Sequence, residues 1–464
     1  MTIQQCNSSF LAALLLTSVA IPMAACGDTN DSNNSNNTGT EAPGDGDGDG
    51  DGDGDGDGDG DGDGDGDGDG DGDGDGDGDG DGDGDGDGDG DGDGTTPPTT
   101  KFSTLLVKTD GDGVEEWKKT ISGENSSEGF AVEQTADGGY VIAGHVIAAD
   151  ATIKKFSLIK TDSSGVTEFE SMFGNSTLDE SAYNLQVTND GGFIVTGHIG
   201  GEAGSTQVMK IDASGTESWA VELSTLSGDM HPDIRQTADG GFIVLGNDVL
   251  QDWAPVLLKL DASGVVEWTK KQNASINGGL FMSVRSTADD GFVIGSYNLV
   301  WDGANATSML HLHKVDAAGD VQWAKDYEEG QIAVGVSAYE TTDGGYAIAG
   351  HYNEAVGQGQ VKHSIILKTD TEGAEVWRTK IQEGEAAYNI TFSMIAPTTG
   401  GYVLAGRTND FGATGDTMML AKVDDDGAVA WTKVFTGATG STAYDVAQTD
   451  DDGFIVVGST VQAP

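Results

Sequence analysis

The chain has 464 residues, with 22 Lys and Arg against 79 Asp and Glu and a formal net charge of -57. Residues 1–100 hold 28 of the acidic residues and no Lys or Arg, so residues 101–464 keep 22 basic against 51 acidic side chains. Both parts repel polyanions, which excludes nucleic acid as a partner. Both cysteines, Cys6 and Cys26, lie outside 101–464, so no disulfide framework or cysteine metal site supports that region.

In chain order, "FLAALLLTSVAI" is an apolar run of twelve, too short to span a bilayer comfortably, and "PMAAC" follows it. Residues 1–25 read as an export signal, and the ending resembles a bacterial lipobox. That resemblance implies a lipid on Cys26 and attachment to a membrane. With Gly27 rather than Asp after the cysteine, it points to the outer membrane of a Gram-negative cell envelope.

Residues 26–100 are expected to be a disordered acidic stalk. From Gly44 to Gly94 the chain alternates Gly and Asp, which combines high chain entropy with like-charge repulsion and offers no apolar group to offset either. The stalk spans roughly 50 Å as a random coil and roughly 240 Å fully stretched. Its Asp-x-Asp-x-Asp-Gly runs resemble the start of EF-hand loops, but those need Glu at the twelfth position, where this chain has Gly. Weak, diffuse calcium binding is expected there, and no other cofactor.

Residues 101–464 repeat. Lys-x-Asp-x-x-Gly recurs at Asp110, Asp162, Asp212, Asp261, Asp316, Asp370 and Asp424, at intervals of 49 to 55 residues. Seven positions after each aspartate stands Trp117, Phe169, Trp219, Trp268, Trp323, Trp377 or Trp431. A second marker keeps step, from "TADGGYVIAGH" at 135 to "TDDDGFIVVGS" at 449. Each marker reads as a tight hairpin turn between short strands, and helical periodicity is absent. Four strands per unit and seven units describe an all-β, seven-bladed β-propeller. Residues 105–121 and 443–459 each supply half a blade, so the chain ends together complete the seventh sheet and leave no free edge. The runner-up, an open solenoid, exposes both halves.

The Asp/Gly/Trp set resembles the tryptophan-docking motif of quinoprotein-like propellers, in which the aromatic packs between blades and the aspartate organises the turn. It is also similar to the Asp box of sialidase propellers. These resemblances imply a structural role for the seven sets. Neither family's chemistry follows, because residues 101–464 contain no cysteine and the chain has four arginines, Arg235, Arg285, Arg378 and Arg407.

The innermost strands are expected to alternate. Positions five and seven before each marker Asp, such as Val132, Leu185, Ile234, Val284 and Val446, are apolar and assigned to the packing face. Between and beside them stand Asn184, Asp233, Ser283, Ser337, Ser393 and Asp445, then Glu133, Gln186, Arg235, Arg285 and Tyr339. Arg235 and Arg285 on adjacent blades form a candidate clamp for a carboxylate or phosphate, which Asp233 would otherwise neutralise. The opposite face carries connections of variable length, among them 298–309 and 352–363, read as loops. Trp253 and Trp301 fall there outside the repeat pattern and are candidate contact residues. His145, His198 and His351 end equivalent strands, and His311 and His313 share one strand face; equivalent positions around a ring stand apart, so no metal site is expected.

The expected function is a non-catalytic binding or scaffold role for a lipid-anchored monomer, with a protein or glycan ligand on the variable face. The alternative is a hydrolase or lyase acting on polysaccharide. A role in outer-membrane protein assembly rests on analogy with a quinoprotein-like propeller lipoprotein and carries little weight.

Overall fold

The computed structural model describes residues 101–121, 125–148, 152–174, 177–200, 204–228, 231–248, 254–272, 281–302, 305–328, 332–356, 359–384, 388–435 and 440–462. The expected signal peptide, Cys26, the stalk and Trp253 lie outside these residues. Among them are 28 strands and no helix.

The strands form seven antiparallel four-stranded blades, a seven-bladed β-propeller. Blade 1 runs Ser126–Gln134, Tyr140–Ile147, Lys155–Thr161, Thr167–Phe173, and pairs in that order. Blade 2 starts at Glu180–Val187, blade 3 at Asp233–Gln236, blade 4 at Phe281–Ser286, blade 5 at Ile332–Glu340 and blade 6 at Asn389–Ile395. Blade 7 joins the two chain ends: Ser441–Gln448 and Phe454–Val461 provide its inner half, and Phe102–Thr109 and Glu115–Ile121 its outer half. The seam is continuous from Phe102↔Val461 to Thr109↔Phe454. Each first strand packs against the first strand of the next blade, and that of blade 7 against that of blade 1, so the ring closes. The open solenoid is thereby excluded. Single strand bridges, Leu226↔Asp248 and Ser308↔Ile332, join blades 2 to 3 and 4 to 5.

The turns follow from the repeat chemistry. Asp110 Oδ1 accepts from the amides of Asp112 (3.0 Å) and Val114 (2.8 Å), and Gly113 takes φ +72°, open to glycine at little cost. Asp162, Asp212, Asp261, Asp316 and Asp370 repeat both bonds. In the Asp424 turn the amide of Ala428 is taken by Asp426 instead.

The aromatics lock neighbouring blades. A Cβ on Gly165 would lie 2.8 Å from the Trp117 ring, and Gly113 stands in the same relation to Trp431. The series runs on through Phe169 on Gly215, Trp219 on Gly264, Trp268 on Gly319, Trp323 on Gly373 and Trp377 on Gly427. Each aromatic therefore caps the turn glycine of the following blade, all the way round the ring.

The lysine of each Lys-x-Asp has a role the sequence left open. Lys108 is buried and reaches Asp451 (2.8 Å) and Glu116 (2.9 Å), tying together the two tight turns of its blade. Lys160, Lys210, Lys259, Lys314 and Lys368 reach Asp137, Asp190, Asp239, Asp289 and Asp343 likewise. Blade 6 has Thr399 where the others have that aspartate, and Asp425 takes over the bond to the Gly401 amide (3.0 Å).

Two connections read as loops are paired strands. In blade 4, Phe292–Asp302 pairs with Asn305–Val315 to the tip, and in blade 5 Tyr346–Val356 pairs with Gly359–Thr369. Each strand has 11 residues, against 8 and 7 for the equivalent pair of blade 1. Polar residues at the outer ends of these strands mask the alternation; a solvated hairpin needs no apolar face beyond the edge of the blade.

Candidate axial site

The first strands carry a shared irregularity that defines the axis. Their pairing register breaks at Phe130, Tyr183, Met282, Val336, Phe392 and Tyr444, each an extra residue opposite its partner strand. A bulge turns its residue out of the alternation. These positions stand seven before the marker and so belong, by simple alternation, to the packing face; the structure corrects that assignment. Phe130 lies 5.3 Å from Tyr183, 5.0 Å from Tyr444 and 6.5 Å from His231, ring centre to ring centre. Tyr183 stacks on His231 at 4.0 Å, and Phe392 meets Tyr444 at 5.6 Å. Since these rings come from blades 1, 2, 3, 6 and 7, they converge on the axis as an aromatic girdle. Four aromatics in one repeat column were the signal for it, and reading the strand as unbroken hid it.

Next along the strands comes a layer of polar staples. Asp233 is 1% exposed and accepts from the amides of Ile234 (2.9 Å) and, in the next blade, Val284 (2.8 Å). Ser283 and Ser337 likewise accept from the amides of Ala338 (3.0 Å) and Met394 (3.3 Å) one blade on. Asp445 accepts from the amide of Val132 (3.1 Å) and from Ser393 Oγ (2.7 Å). Glu133 accepts from the amide of Val187 (2.7 Å). These side chains satisfy backbone donors that have no partner strand at the channel wall.

Beyond the staples, toward the tight turns, a cavity of about 410 Å³ opens on the axis, lined by Glu133, Arg235, Arg285, Tyr339, Asp445 and Gln448 among others. Arg285 Nη1 donates to Asp233 Oδ2 (2.6 Å) and to the carbonyl of Val284 (2.8 Å), with its guanidinium 5.0 Å from the Tyr339 ring centre. Arg235 Nη1 donates to Asn184 Oδ1 (2.8 Å) and to the carbonyl of Ile234 (2.7 Å), and lies 3.2 Å from Asp233 Oδ1. The structure thus brings Arg235, Arg285, Asp233 and Tyr339 together, with Asp233 shared between the two guanidinium groups. Burial works against the charge of Arg285, but Tyr339 and Asp233 outweigh it and hold the group above its ordinary value. Burial pushes Glu133 up, against the Val187 amide and Arg235, and pushes Asp445 up, against Ser393 and the Val132 amide.

The other candidates lie elsewhere. Trp301 pairs with Ala306 on the blade 4 hairpin, away from this cavity, and its side chain is outside the described atoms. Burial holds His145, His313 and His351 at about 3, so they are neutral core groups at pH 7. Among the described residues no three metal-ligating side chains are grouped to hold an ion.

Fold and site define a seven-bladed propeller with an ionic cup at one axial mouth and two raised hairpins on the opposite face. No protein-family model matches the chain, and no curated protein matches it. Among solved structures it is similar to Sqt1 from Chaetomium thermophilum, at 13% identity and TM-score 0.42, over 72% of this chain and 95% of that one. It is also similar to the BP39L lectin from Burkholderia pseudomallei, at 9% identity and TM-score 0.46, over 73% and 99%. A third similar structure is a puromycin hydrolase S511A mutant complexed with PGG, at 13% identity and TM-score 0.41, over 70% of this chain and 50% of that one.

Proposed function

We propose that the propeller is a non-catalytic binding or scaffold module, held at the cell envelope through a lipid on Cys26 and working through the face that carries the long connections. The observation behind this reading is the pair of raised hairpins on blades 4 and 5. Neighbouring blades extend their second and third strands to 11 residues where blade 1 uses 8 and 7, and a strand bridge links the two blades at Ser308↔Ile332. Paired strands that run on past the blade edge give two adjacent arms on a rigid ring, a preorganised contact surface for a protein or glycan.

The test places a photo-crosslinking amino acid in cells at Val300 or Glu354 on the arms, and at Asp112 on the opposite face. Crosslinks to one protein or glycan from the arm positions, absent from Asp112, support the reading. Equal crosslinking from both faces contradicts it. A polysaccharide-acting enzyme is the second reading, favoured by one observation: Glu133, Asp445, Arg235, Arg285 and Tyr339 all line one cavity. New reducing ends or unsaturated products from a polysaccharide panel would establish it.

A further inference from the structure

The axial cup is built like a ligand site rather than a packed channel. Two observations carry this. The arginines make the protein bonds described above through Nη1 alone, so the Nε and Nη2 edge of Arg235 remains for a ligand at the wall of the cavity. Second, the volume of about 410 Å³ falls at the lower end of the range for small-molecule sites, about 300–1,000 Å³.

The charge balance narrows the ligand. Two guanidinium groups share one carboxylate, Asp233, which leaves a surplus of one positive charge. Glu133 and Asp445 face the same space: in the neutral forms that burial favours they leave this surplus intact, and as carboxylates they would repel a second negative charge on the ligand. A planar monoanion suits guanidinium forks, and a dianionic phosphate does not suit the acidic wall. Tyr339, Gln134 and Thr135 add further polar groups beside apolar ones such as Leu185 and Ile395, a mix that suits the hydroxyl groups and carbon chain of a small hydroxy acid.

We propose that this cup binds a small hydroxy-monocarboxylate, of the size of an aldonic or uronic acid, with its carboxylate clamped by Arg235 and Arg285. The site lies on the opposite face from the hairpin arms and does not depend on what they bind.

The experiment is isothermal titration of the full chain with glucuronate and gluconate, against glucose and inorganic phosphate. Glucuronate or gluconate should bind at least tenfold more tightly than either control. Arg235→Gln should weaken binding at least tenfold, and Glu133→Gln, which retains an acceptor for the Val187 amide, should tighten it severalfold. Because loss of an arginine can also loosen the ring, Arg235→Lys, which keeps the charge and loses the fork, provides a second reading and should weaken binding at least threefold with an unchanged melting temperature. A chain with both hairpin arms shortened should bind as the parent does, which separates this site from the arm surface. Equal binding of glucose, tighter binding of phosphate, affinity unmoved by Arg235→Gln, or no binding of either acid overturns the proposal.

Discussion

Gly138 and Gly165 sit in the two tight turns of blade 1 and both hold φ near +80°, at +81° and +77°. Alanine at either position pays the same backbone cost, roughly 1–2 kcal/mol for a left-handed conformation. Their surroundings differ. A Cβ on Gly138 meets nothing within 4 Å, whereas one on Gly165 lies 2.8 Å from two carbons of the Trp117 ring. Overpacking of that kind costs a further 1–3 kcal/mol or so. At about 2.1 cal/mol/K per residue over about 360 residues, 1 kcal/mol corresponds to about 1.3 °C in melting temperature. Gly138→Ala is therefore expected to lower the melting temperature by about 1–3 °C and Gly165→Ala by about 3–6 °C. Calorimetry of both variants checks this, repeated in a Trp117→Ala background. There the aromatic is gone and the two substitutions should cost the same. Equal costs in the parent, or a difference that survives without Trp117, would refute interblade capping by the aromatics.

Other outcomes follow from the ion network. Asp233→Ala leaves two guanidinium groups sharing no carboxylate and the amide of Val284 without its acceptor, so it should destabilise by about 3–5 kcal/mol in urea unfolding. Acid unfolding should come in two stages. His145, His313 and His351 sit at about 3 when folded, below their ordinary value near 6.5, so the stability they contribute is complete above that value and declines as pH falls below it. Asp137, Asp190, Asp239, Asp289, Asp343 and Asp451 are held at about 2, by hydrogen bonds from threonine and lysine, and their contribution is lost between about pH 4 and 2. A urea midpoint constant from pH 7 to 5 would contradict the first stage. Finally, Cys26→Ser should move the protein from the membrane fraction to the soluble fraction of cells and abolish labelling with a fatty-acid analogue; unchanged partition and labelling would remove the lipid anchor from the account.

Much of the ring was legible because it is repeated. The Asp and Gly three apart recur seven times, and a turn that needs a carboxylate acceptor and a positive φ leaves few alternatives to them. The half-blades at the two ends also declared the closure. The arginine pair was legible as a pair, since Arg235 and Arg285 hold equivalent positions, and so was its partner Asp233. What the repeat pattern hides depends on departures from regularity. The girdle of Phe130, Tyr183, Phe392 and Tyr444 depends on a bulge, which shifts a side chain from one face to the other and cannot be seen in an alternating pattern. The arms of blades 4 and 5 were hidden by their polarity.

The central claim is the closed ring, and its seam can be trapped covalently. Ser103 faces Thr460 across the strands that join the two chain ends in blade 7. Ser103→Cys with Thr460→Cys, in a chain whose Cys6 and Cys26 are replaced by serine, should oxidise to a disulfide. The product should run with altered mobility on a denaturing gel, and in the chain-entropy account it should gain up to about 5 kcal/mol of stability over its reduced form. Failure of the two cysteines to join under native conditions, with the propeller still folded, would contradict the closed ring.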